Sequence, residues 1–219
     1  MKNTITKYKT FDLIEVRPNI FLMKFKNSYD LCMTFLRYQE FYENANPKFR
    51  GKSFTILDFM DWYTKDKKGF VFTYTIDWAG FNIPGHIIMD VRKAGIKDPN
   101  QYDQVMKDVH SVCCAEDFYL IGMFSGSPVF EHEIAHGYFY TNQSYRREMK
   151  KLVSALPTDL KKQLYKVLTS MGYAKSVHTD EIQAYFATGP SEAFKNIDIG
   201  SANEPFMALF DTYCEECAI

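Results

Sequence analysis

Apolar positions follow two regimes along the chain. In the first half, helical spacing alternates with short apolar blocks. Leu31, Cys32, Phe35, Leu36 and Tyr42 recur at three- and four-residue intervals behind Ser28, a residue suited to a helix N-cap. The pattern predicts an amphipathic helix over about 28 to 44, ended by Asn46-Pro47. Phe54 to Tyr63 is a dense apolar run of helical length, and Phe70 to Tyr74, introduced by Gly69, reads as a ring-rich strand. Asp77 to Gly85 reads as a loop carrying Trp78 and Phe81. Asp98 followed by Pro99 marks a helix start, with Tyr102, Val105, Met106, Val109 and Cys113 at helical spacing behind it. Phe118 to Phe124 is apolar and of strand length. Ser127-Pro128 repeats the cap-then-proline start and predicts a helix from about 128 to 141.

The second half is mostly helical. Tyr145, Met149, Leu152, Val153 and Leu156 form one apolar stripe, with Arg146, Arg147, Lys150 and Lys151 on the solvated side. Leu160, Leu164, Val167, Leu168 and Met171 form the next, stopped by Gly172. Thr179 can cap a helix to Thr188, closed by Gly189-Pro190, and a last helix spans Glu204 to Glu215. The fold class expected is α+β: one domain over 1–219, with a small sheet in the N-terminal half and a mostly helical C-terminal half.

Composition narrows what such a domain can do. The 219 residues are 46% hydrophobic, enough to bury a core without disulfide or metal staples. A net charge of −1 lacks the basic footprint of a nucleic-acid binder. No apolar stretch approaches the ~18–20 residues of a membrane span. Met1 to Lys9 lacks the apolar block of a secretory signal, so the expected compartment is the cytoplasm, without nucleic-acid or membrane partners. Five cysteines, Cys113 and Cys114 adjacent and Cys214-Glu-Glu-Cys217 near the end, do not form a disulfide framework, and the lone CxxC has no second pair to complete a zinc site.

The chemistry concentrates in Glu131-His132-Glu133-Ile134-Ala135-His136-Gly137. It contains the string H-E-x-x-H, which chance would place in roughly one chain of this composition in a hundred. The bland alternative is two histidines a turn apart beside a solvated glutamate. The helical setting favours the other reading. Residues four apart share a helix face, so the imidazoles of His132 and His136 can converge on one metal ion. Glu133, about 100° around the helix, flanks that ion and can take a proton from a metal-activated water. Gly137 in a helix interior costs about 1 kcal/mol against alanine and asks for a packing or access reason.

Such a site needs a third protein ligand. Positions three and six beyond His136 hold Phe139 and Asn142, so it comes from elsewhere. Glu181 is the first candidate: it lies in the first turn of a predicted helix, with Ala184 and Tyr185 on the same face. The helix dipole would favour a carboxylate there without any metal. Asp180 and His178 are substitutes; His86 and His110 are remote possibilities.

His132-Glu133-x-x-His136 followed by Glu181 on a later helix resembles the gluzincin branch of zinc metallopeptidases, over roughly residues 118 to 190. The Asn-Glu pairing of the branch's best-known members is absent at Asp180-Glu181. The resemblance implies one Zn2+ per chain held by His132, His136 and Glu181, Glu133 as general base, and a peptide or protein substrate. It also implies a strand edge at Phe118 to Phe124 that pairs with the extended peptide, with Ser125 beside it, and a Tyr or His steadying the oxyanion, here Tyr185 or His178. Tyr138, Tyr140 and Tyr173 are assigned to packing. Two other metal readings fit less well. Glu133-x-x-His136 lacks the second Glu-x-x-His of di-iron bundles, and a deformylase-like cysteine ligand at Cys113 or Cys114 lacks its expected flanks. A different class remains open: an interaction protein with a structural or vestigial metal site. A metal-dependent hydrolase of a non-peptide amide is the third alternative.

Overall fold

In β2 (Phe11–Arg17), Phe11 and Leu13 point inward while Asp12 and Ile14 are half-covered; a register irregularity between Glu15 and Arg17 then shifts the phase and turns Val16 inward. This strand lies in a computed structural model that describes residues 4–65, 70–78, 80–113, 117–124, 130–189 and 192–216. The chain divides into two compact units, Met1–Val129 and Phe130–Ile219.

In the first unit, β1 (Thr4–Lys7) pairs antiparallel with β2, and β2 pairs antiparallel with β3 (Ile20–Phe25). The β2–β3 turn places Asn19 at φ 61°, a left-handed position that asparagine tolerates. β3 then pairs in parallel with β5 (Tyr119–Phe124), which pairs antiparallel with β4 (Gly80–Pro84), giving the order β1-β2-β3-β5-β4. β3 and β5 are buried on both faces and carry no alternation. Helices α1 (Ser28–Glu43), α2 (Ile56–Tyr63), the single turn α3 (Tyr74–Asp77), α4 (His86–Ala94) and α5 (Gln101–Cys113) complete this unit. Gly122 lets α1 seat closely on the sheet: a Cβ there would collide with the Phe35 ring. Phe35 in turn stacks on Phe81 of β4.

The α+β class and the division into a sheet-bearing first half and a helical second half are as expected, but several local assignments change. Phe70 to Tyr74 is not a strand. Phe70 sits at φ 66°, a left-handed conformation that breaks an extended run, and its ring is 93% exposed, while Tyr74 starts α3 and is fully buried. Asp77 to Gly85 is not all loop: Gly80–Pro84 forms an edge strand, the place in a sheet where proline fits. The cap of α5 is not Asp98. Asn100 Oδ1 accepts from Tyr102 N (2.8 Å) and Asp103 N (3.3 Å), while Asp98 Oδ2 accepts from Ile56 N at 2.8 Å, at the start of α2, whose cap is Thr55. Asn27, not Ser28, caps α1, accepting from Asp30 N. The expected peptide-pairing edge is absent, because both sides of β5 are taken by β3 and β4.

The second unit holds α6 (Phe130–Thr141), α7 (Gln143–Ala155), α8 (Thr158–Ser170), α9 (His178–Thr188) and α10 (Glu204–Glu216). Asn142 caps α7 by accepting from Tyr145 N at 3.0 Å, and Gly172, at φ 97°, follows the end of α8. Thr179 is not a cap: α9 begins one residue earlier, at His178, with no side-chain cap. Among the described residues no helix is long and apolar enough to cross a membrane. Gly69, Cys114, Ser125, Ser127, Pro128, Pro190 and Cys217 lie outside the described residues.

Candidate metal centre

Two helices of the second unit build the site. On α6, Ile134, Ala135 and Tyr138 are buried, and the same helix carries buried Glu133 and His136 with half-buried His132. On α9, Ile182, Ala184, Phe186 and Ala187 are buried, and the first turn presents Asp180 and Glu181. Carboxylates suit that position because the helix N-terminus carries partial positive charge. Gly137 is buried within α6, and its carbonyl accepts from Thr141 Oγ1.

The four-residue spacing brings the imidazoles together as helical geometry requires. Their ring centroids are 4.8 Å apart with the planes nearly perpendicular, and His132 Nε2 lies 3.2 Å from His136 Nε2. Two nitrogens bound to one tetrahedral ion at 2.0–2.1 Å would be ~3.3–3.4 Å apart. Glu181 completes the group: Oε1 is 3.8 Å from His136 Nε2 and Oε2 is 3.9 Å from His132 Nε2. These separations exceed the tetrahedral value but stay inside the ~4.1 Å that two such bonds span end to end. Among the described residues, His132, His136 and Glu181 are the histidine, cysteine and acidic group that could hold a metal ion, with one ligand atom from each lying within 4.8 Å of the others. One soft-to-borderline and hard mix of two imidazoles and a carboxylate suits a first-row divalent cation better than calcium or magnesium, which take oxygen shells.

Electrostatics set the two histidines apart. Burial and the neighbouring His136 push His132 down to about 3. Burial also pulls His136 down, but the carboxylates of Asp180, Glu181 and Glu133 outweigh it and raise His136 to about 10. Asp180 is the nearest of these: its Oδ1 accepts from His136 Nδ1 at 2.9 Å. That contact is with the ring nitrogen turned away from His132, so Asp180, a substitute ligand on sequence grounds, is placed to orient a ligand. Nothing in the sequence pattern distinguished those two roles at adjacent acidic positions.

Tyr185 is half-buried, and its ring centroid lies 4.5 Å from that of His132. Burial raises its pKa; a hydrogen bond with the Tyr173 side chain opposes the shift, and the charges of Glu181 and Glu133 add to it. His178 lies on the same first turn as Glu181, but its Nε2 engages the Tyr173 carbonyl at 3.2 Å and its ring packs on Tyr165. Tyr138 packs against Tyr145, Phe210 and Tyr213. No protein-family model, curated protein or solved structure matches the chain.

Proposed function

We propose that the chain is a zinc-dependent hydrolase of peptide bonds, gluzincin-like in its site, with His132, His136 and Glu181 holding one zinc ion. The convergence of the two Nε2 atoms at 3.2 Å with both Glu181 oxygens carries the reading. Zinc bound there would lower the pKa of a coordinated water and polarise a substrate carbonyl. Glu133, adjacent to His132 on α6 and buried, is the general base and then delivers its proton to the leaving amine. Tyr185, kept protonated by its raised pKa, donates a hydrogen bond to the oxyanion. His178 is the weaker candidate for that role because its Nε2 is committed to Tyr173.

The test is metal content and turnover together. Protein purified without added metal should carry zinc near one per chain, lost in His132→Ala and in Glu181→Ala. Glu133→Gln should keep the zinc and lose ~10²–10⁴-fold in turnover on a peptide library. Zinc retained in Glu181→Ala would move the third ligand elsewhere. Full peptide turnover in Glu133→Gln would remove the general-base assignment. Glu133-dependent cleavage of small non-peptide amides, with peptides untouched, would keep the metal chemistry and change the substrate class.

A further inference from the structure

Gln183 is fully buried on α9, in a row otherwise filled by Ile182, Ala184 and Phe186. A buried amide is costly unless its polar atoms are met, and each end of this one is met. Tyr145 OH on α7 lies 3.0 Å from Gln183 Oε1, and Gln183 Nε2 lies 3.0 Å from Asp180 Oδ1 and 3.3 Å from the Ala135 carbonyl on α6. The partners fix the polarity of the chain. A carboxylate and a peptide carbonyl only accept, so both need the NH2 end of the amide, and Tyr145 must then donate to Oε1. Asp180 Oδ1, accepting from Gln183, also accepts from His136, so His136 Nδ1 is the donor and its Nε2 is left facing His132 and Glu181.

Asp180 needs such an anchor. Its side chain is 29% exposed, against 5% for His136. A carboxylate with that access to water can hydrate and swing off the imidazole; the buried amide holds it in place. The bond to Ala135, next to His136 in the chain, ties the same amide to the backbone that carries the ring. Resting on the reading of the triad as a metal centre, we infer that Gln183 and Tyr145 are positioning residues: they clamp Asp180 against His136 and so set which ring nitrogen of His136 faces the metal.

The test compares wild type with Gln183→Met, Tyr145→Phe and the double variant, and uses Tyr138→Phe as a control that removes a neighbouring buried hydroxyl. Zinc affinity is read by chelator competition, and the His136 Nδ1–H resonance by nitrogen-15 NMR on metal-stripped protein. Gln183→Met should weaken zinc binding by ~10-fold or more and shift or lose the resonance. Tyr145→Phe should cost less, ~3-fold. Because Tyr145 acts through Gln183, the double variant should be no weaker than Gln183→Met alone. Tyr138→Phe should change neither readout. Unchanged affinity and resonance in a folded Gln183→Met would overturn the proposal, as would losses that multiply in the double variant. If Gln183→Met does not fold, Tyr145→Phe decides by the same two readouts. A wild type that takes up no zinc overturns the metal reading instead, and the resonance alone then decides whether the clamp fixes the ring.

Discussion

Each unit buries a cluster of ionisable side chains, and the two are built on opposite principles. In the first, Arg37 on α1 is 4% exposed and sends its guanidinium to Asp103 (Nε–Oδ1 3.0 Å), Asp98 (Nη2–Oδ1 2.8 Å) and the Phe54 carbonyl. Tyr38 OH and Asn100 N also donate to Asp103. Here the chain supplies both signs, and the donors and acceptors close on one another. In the second, two imidazole nitrogens and a carboxylate converge, and the positive charge among the chain's own groups is the proton that neighbouring carboxylates hold on His136. A buried cluster closed by its own arginine is a staple between segments distant in sequence. One whose electron pairs point at a common centre is suited to take a cation from outside.

That contrast breaks first, and hardest, at Arg37. Arg37→Met should lower the unfolding free energy by ~3–5 kcal/mol, because Asp103 would be left buried without its counter-charge. Denaturant titration measures it, with zinc content of the remaining folded protein unchanged. A loss under about 1 kcal/mol would mean that water reaches the cluster and that the two sites differ less than their geometry indicates. The next effect is metal-linked. Free zinc a thousandfold above its dissociation constant should stabilise wild type by ~4 kcal/mol, seen as a rise in Tm that chelation reverses. His132→Ala should lose that rise, and Arg37→Met, though less stable, should keep it. A zinc-dependent rise in Tm that survives His132→Ala would place the binding elsewhere in the chain.

What was legible in the residue pattern follows from how local each signal is. The histidine pair could be read because a four-residue helical spacing dictates proximity, and Glu181 was only a candidate, because the helix dipole favours a first-turn carboxylate with or without a metal. Gln183 and Tyr145 escaped for the opposite reason: their partnership spans three helices, and periodicity counts Tyr145 as one more member of an apolar stripe. The helical second half was traced nearly to its ends by apolar stripes and by stops such as Gly172, whereas Thr179 turned out to lie inside α9 rather than to cap it. Of the sheet, β5 was located, because Phe118 to Phe124 is an apolar run of strand length, and the other strands were not. β3 is buried on both faces, β2 changes phase at an irregularity, and β4 ends in proline, so none of these shows the clean alternation that marks a half-exposed strand. Phe70 to Tyr74 misled because aromatic and β-branched residues favour strands only where a neighbouring strand accepts them.

The smallest effect, and the one that most directly tests the proton's role as stand-in cation, is the pH dependence of the metal-stripped protein. His136 is raised in the folded state to about 10, against an ordinary 6.5, so its protonation stabilises the fold fully below about 6.5, and that contribution is lost as pH rises toward 10. His132 is lowered to about 3, so its contribution is present above about 6.5 and lost as pH falls toward 3. Together they predict greatest stability near pH 6.5, falling on the alkaline side no more steeply than the ~1.4 kcal/mol per pH unit of a single proton. Denaturant midpoints at pH 7, 8 and 9 measure the alkaline slope. Zinc requires both imidazoles neutral, each with an unprotonated Nε2, so the loaded protein should lose that slope, as should His136→Ala. A slope that is the same with and without zinc would assign the alkaline loss to other groups, and the proton on His136 would no longer stand in for the metal.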